Sequence, residues 1–243
     1  MGAAFLLIAA VQVAREREEK LQRATSLIRR YVATQVAERI LSGQHTEDGR
    51  PERRKLTIFF SDVVGFTRAA DQMEAEDLAA LLNEYLSEMA AIADSHGATV
   101  NQFVGDGIMA FFGAPDATED RDHALRAVRM ALEMQRRMVE LGAKWFAGGI
   151  QTPFRIRIGI NTGVASVGDY GSEGRTTYSA IGTQTNLAAR IQEHCEPGSV
   201  LISHTTWGLV KDEIRCKEHG EIEFKGLHYP VRVYEVMEDS AAA

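Results

Sequence analysis

Two aspartates stand where strongly apolar runs break beside a glycine: Asp62 in FFSDVVGFT at 59–67, and Asp106 in NQFVGDGIMAFFG at 101–113. Leu56, Ile58, Phe59 and Phe60 read as a buried strand with Asp62 at its end. Val63-Val64-Gly65-Phe66-Thr67 leaves that strand through a glycine that lets backbone N–H groups approach an anion. The second segment reads as a β-hairpin with arms at 98–104 and 108–112 around Gly105-Asp106-Gly107. Carboxylates delivered by adjacent strands can share two Mg²⁺ or Mn²⁺ ions, hard cations that take oxygen ligands and leave positions for substrate phosphates. Taken singly, Asp62 also reads as a helix cap and Asp106 as an ordinary turn aspartate.

A third segment weights the balance toward phosphoryl chemistry. SAIGTQTNLAARIQEH at 179–194 reads as a strand end, a turn at Gly182 and a helix on which Asn186 and Arg190, four residues apart, share a face. An amide and a guanidinium projecting together suit a ribose and a pentavalent phosphate. Together FSDVVGFT, FVGDGIMAFFG, INTGVASVGDYG at 160–171 and NLAAR resemble the class III nucleotidyl cyclases, which make cyclic AMP or cyclic GMP from the nucleoside triphosphate. The resemblance covers about residues 48–237.

The resemblance implies roles for particular residues. Asp62 and Asp106 match the two metal-binding aspartates, the Val63 carbonyl helps hold the second ion, and the stretch Val64, Gly65, Phe66, Thr67 cradles the β- and γ-phosphates through its amides. Asn186 matches the residue that orients the ribose, Arg190 the one that stabilises the transition state, and Lys225 in EFKG a triphosphate-binding lysine. In the family the aspartates come from one subunit and the Asn–Arg pair from the other, so a homodimer with shared sites is expected. The seven histidines show no metal-ligand spacing, and no histidine base is expected.

The chain departs from the family where the base is chosen. Four residues before Asp106, where typical adenylyl cyclases carry lysine and guanylyl cyclases glutamate, stands Gln102; seven before Asn186 stands Ser179, as in the subclass using serine or threonine there. Both side chains can donate and accept, so either purine fits them. The subclass is mostly adenylyl cyclases, which makes ATP the expected substrate. A guanylate or dual-specificity cyclase and an attenuated nucleotide-binding dimerisation module are the alternatives. A diguanylate cyclase is disfavoured because its GG[DE]EF-type hairpin is absent.

Composition, at 45% hydrophobic and 25% charged over 243 residues, provides for a sizeable core. The net charge of −7, without a basic face carrying aromatics, argues against a nucleic-acid partner. Cys195 and Cys216 form no CxxC and read as reduced thiols. Residues 1–14 are nearly all apolar, but Gly2 to Ala14 as a helix reaches only about 20 Å against a hydrocarbon core of ~30 Å. With Arg15-Glu16-Arg17-Glu18-Glu19-Lys20 following, this segment reads as the end of a truncated transmembrane helix. That places the protein at the cell membrane with its catalytic domain on the cytoplasmic side.

Residues 15–43 read as a helical dimerising, signal-transmitting segment with a coiled-coil seam through Leu21, Ala24, Ile28 and Tyr31, 44–54 as a linker, 55–237 as the catalytic domain and 238–243 as a tail. Within the catalytic domain the pattern predicts helices at 75–96 and 120–142. Strands are predicted at 154–161 and 199–203 and near 222–224 and 231–236, with a loop at 144–152. The order strand, helix, hairpin, helix, strand predicts an α/β (α+β) sandwich, a ferredoxin-like palm with a mostly antiparallel sheet.

Overall fold

The computed structural model describes residues 2–44, 50–172, 174–224, 226 and 229–238. They fall into two compact units, residues 1–47 and 48–243.

In the first unit α1 (Gly2–Tyr31) and α2 (Thr34–Leu41) are separated at Val32-Ala33, so the single helix read from the sequence is two. Ala33 takes an extended backbone (φ −51°, ψ 137°) that ends one helix and starts the next, and α2 buries Val36 and Ala37. Among the described residues no helix is long and apolar enough to cross a membrane. This corrects the placement at the cell membrane. The apolar stretch runs within one helix straight into the charges from Arg15 to Lys20, which hydrocarbon does not accommodate.

The second unit is built on β1 (Glu52–Val63), β2 (Thr99–Val104), β3 (Gly107–Phe112), β4 (Ile156–Ser172), β5 (Arg175–Ile181), β6 (Val200–Ser203), β7 (Cys216–Ile222) and β8 (Val231–Val236). The sheet runs β2-β3-β1-β4-β6-β8-β7, with β5 paired to β4. Among the described residues only the β4–β6 pairing is parallel. The first four strands with α4 (Ala75–Ser95) and α5 (Asp120–Ala147) make a βαββαβ unit, the mostly antiparallel α/β sandwich that the pattern predicts. Three short or late helices complete it: α3 (Phe66–Gln72), α6 (Thr183–Glu193) and α7 (His204–Val210).

Alternation along β1 decides what each face buries. Phe59 and Val63 pack with Tyr85 and Met89 of α4 and Val128 and Met134 of α5, while Leu56 and Ile58 pack on the other face with Met109, Phe111 and Ala188. The α5 stripe Ala124, Ala127, Ala131, Met134, Met138, Leu141 recurs every three or four residues, small side chains first. Gln135 Nε2 reaches out of that stripe to donate to the carbonyls of Ile156 (3.2 Å) and Ser199 (2.9 Å).

Several elements extend beyond the pattern. α5 continues past Gly142 to Ala147 because Trp145 is buried there, edge-on to Phe154 at 5.5 Å and donating Nε1–H to Glu84 (2.9 Å). β4 runs on to Ser172, past the predicted end at 161, since β1 pairs with it from Ile156 to Val167 and β5 from Ser166 onward. β7 lies earlier than 222–224, and β1 begins at Glu52, inside the stretch read as linker.

Candidate active site

The site is built where β1 ends. Asp62 lies opposite Arg157 of β4, and Arg157 Nη2 donates to Asp62 Oδ2 at 2.9 Å while its Nη1 donates to the Glu193 carbonyl at 3.0 Å. Asp106, in the β2–β3 turn, reaches across so that its Oδ2 accepts from the Val63 N–H at 3.2 Å. Gly107 permits this approach: a Cβ there would lie 2.8 Å from the Ser61 carbonyl and 3.8 Å from Asp62 Oδ1. Burial, and then the Asp62 charge, push the Asp106 carboxyl above its ordinary value, against the lowering effect of nearby backbone N–H groups. Beneath the pair, Tyr85 is fully buried and held protonated, first by burial and then by the charges of Asp106 and Asp62.

The chain leaves β1 through Val63, buried, and Val64, exposed, and turns at Gly65 with φ 75° and ψ 17°, a left-handed conformation that a side chain disfavours. α3 starts at Phe66 with no side chain capping it, so the N–H groups of its first turn, Thr67 among them, have no cap partner. The Phe66 ring packs against Phe154 at 5.9 Å, which anchors the turn.

α6 lies directly on β4. A Cβ at Gly159 would come 2.2 Å from the Gln192 nitrogen and 2.6 Å from the Ala188 carbonyl, and one at Gly163 would meet Gln184 at 2.6 Å. The helix buries Leu187, Ala188 and Ile191, leaving Asn186 exposed and Arg190 half-buried. A Cβ at Gly226 would sit 3.9 Å from Arg190 Nη2, so the guanidinium is beside the β7–β8 connection. Lys225 itself lies outside the described residues.

The remaining pair stands on β2 and β5. Gln102 is exposed and Ser179 half-buried. The contact between these strands is made by Asn101, whose Nδ2 donates to the Tyr178 carbonyl at 2.6 Å and whose Oδ1 accepts from Ser179 Oγ at 3.3 Å. The structure thus brings Asp62 to Asp106, Asn186 and Arg190 onto one helix, and Ser179 beside the strand of Gln102. Sequence reasoning missed Arg157 and Asn101. The alternation FRIRIGI puts Arg155 and Arg157 on the face away from Ile156 and Ile158, a signal that could have found the first.

Among the described residues no group of three or more His, Cys, Asp or Glu is placed to hold a metal ion. Two carboxylates alone suit a cation that completes its shell with substrate oxygens.

The family model for the adenylate and guanylate cyclase catalytic domain matches residues 50–238. The adenylyl cyclase CyaB of P. aeruginosa has a solved structure 44% identical, with TM-score 0.77 over 79% of this chain and 97% of that one. The guanylyl cyclase Cya2 is 38% identical, with TM-score 0.73 over 77% and 93%. Adenylate cyclase 1 of Rhizobium meliloti (strain 1021) is 31% identical over 209 residues, 85% of this chain but 31% of that protein's length. The open, mostly antiparallel sheet, the paired aspartates at its end and the match over nearly the whole second unit agree: the chain belongs to the class III adenylyl and guanylyl cyclase catalytic domains.

Proposed function

We propose that the chain is an adenylate cyclase, converting ATP to 3′,5′-cyclic AMP and pyrophosphate at sites shared by two copies. The observation that carries the reading is the juxtaposition of Asp62 and Asp106, two carboxylates crowded enough to raise one of them and open enough to accept a cation. Two Mg²⁺ or Mn²⁺ ions, held by Asp62, Asp106 and the Val63 carbonyl, would neutralise the triphosphate and lower the pKa of the ribose 3′-hydroxyl.

The chain's own residues position everything else. The amides from Gly65 to Thr67 receive the β- and γ-phosphates, as uncapped N–H groups at a helix start do. Arg157, now donating to Asp62, would turn to a phosphate oxygen once the carboxylate is engaged elsewhere. From the second copy Asn186 orients the ribose, Arg190 meets the charge on the equatorial oxygens, and Lys225 adds to the triphosphate site. The 3′-oxygen bonds to the α-phosphorus in line, the bond to the β-phosphate oxygen breaks, the hydroxyl proton leaves to solvent and pyrophosphate departs. Gln102 and Ser179 face the purine.

ATP is favoured over GTP by the serine at 179 and by the higher identity to the adenylyl than to the guanylyl cyclase structure, 44% against 38%. The purified chain with Mn²⁺ and either nucleotide, read as cyclic nucleotide formed, tests this. Higher kcat/KM for ATP is expected, equal or reversed values overturn the preference, and no turnover of either overturns the enzyme.

A further inference from the structure

We infer that Asn101 sets the purine preference by committing the single proton of the Ser179 hydroxyl, so that this hydroxyl meets the base only as an acceptor and selects adenine over guanine. The inference rests on the reading above that Ser179 faces the purine.

The bonds fix every proton in turn. β2 carries an irregularity between Val100 and Gln102, and Asn101 sits in it, its side chain turned to β5. The Tyr178 carbonyl can only accept, so the amide nitrogen of Asn101 must face it, at 2.6 Å. That orientation leaves Asn101 Oδ1 toward Ser179, and an amide oxygen also only accepts. The Ser179 hydroxyl is therefore the donor in the 3.3 Å contact. Only its lone pairs remain for a ligand. The 6-amino group of adenine donates to such an oxygen, whereas the 6-oxo group of guanine would oppose one acceptor to another. Gln102, exposed on the adjacent position, keeps both a donor and an acceptor and cannot discriminate. The ambivalence that Ser179 has as an isolated serine is thus removed by its neighbour, and Asn101 acts as a positioning residue without touching the base.

The test is kcat/KM for ATP and for GTP, with Mn²⁺, in Asn101→Ala, Ser179→Ala and the double variant Asn101→Ala with Ser179→Ala. Asn101→Ala frees the hydroxyl to donate, and the ATP-to-GTP ratio is expected to fall by roughly tenfold, carried mainly by a lower KM for GTP, with kcat on ATP retained within about threefold. Adding Asn101→Ala to Ser179→Ala should leave the ratio where Ser179→Ala put it, because Asn101 acts only through the hydroxyl. An unchanged ratio in folded Asn101→Ala overturns the inference while the base reading stands, provided Ser179→Ala alone shifts the ratio. If Ser179→Ala shifts nothing, the base reading fails and the inference with it.

Discussion

Asp106 holds a charge in a place that disfavours it. Half-buried in a hairpin turn and beside Asp62, its carboxyl is raised above its ordinary value by burial and then by the Asp62 charge. A turn carboxylate contributes little to the core, so Asp106→Ala is expected to keep the fold and lose cyclisation. Activity above about a tenth of the parent, a barrier change of only ~1.4 kcal/mol, would sink the metal-binding assignment. At this scale the acids were legible because each ends an apolar run beside glycine. Arg157 was half legible, through alternation alone. Asn101 was not, because its role depends on a strand irregularity and a partner 78 residues away in the chain, neither of which a local pattern records.

At the scale of elements, α6 depends on two glycines of β4, Gly159 and Gly163, that leave room for it. Gly159 brings a helix backbone against a strand, and Gly159→Ala would place a methyl 2.2 Å from the Gln192 nitrogen. The helix must move off β4, taking Asn186 and Arg190 with it. Thermal or denaturant unfolding is expected to show a loss of about 1–3 kcal/mol or more, and the folded fraction a lower kcat. Stability and turnover equal to the parent would mean the close approach is not needed. Elements with one buried face were legible nearly to the residue: α4 (Ala75–Ser95) against 75–96, and β8 at Val231–Val236. Those set by distant partners were not. β4 extends because two strands pair with it, and the last turn of α5 persists because Trp145 is buried.

Across the whole second unit, a buried polar chain ties α5 to the sheet and the sheet to α7. The Thr57 hydroxyl sits 2.7 Å from His123 Nδ1 and 2.8 Å from the Thr162 hydroxyl, which in turn meets Thr206 at 3.0 Å. Burial lowers the His123 pKa, only partly countered by the Asp120 charge. The unfolded chain therefore takes up this proton first as pH falls. The contribution to stability is complete above about pH 6.5, the ordinary imidazole value, and is lost below it down to the depressed folded value. Denaturant unfolding at pH 7.5 and 5.5 should show a smaller drop for His123→Asn than for the parent, and equal drops would exclude His123 as the source. Assembly is the remaining level, and mixing tests it. Asp62→Ala and Arg190→Ala should each be nearly inactive alone, since every site of either homodimer lacks one essential group. In a mixed dimer one site takes both intact residues and the other collects both lesions. With random exchange about half the dimers are mixed, so activity should return to roughly a quarter of the parent value, as two-fold symmetry requires. Recovery at that level would place the two residues in one site from different copies, whereas no recovery despite demonstrated subunit exchange would assign both to a site within one chain.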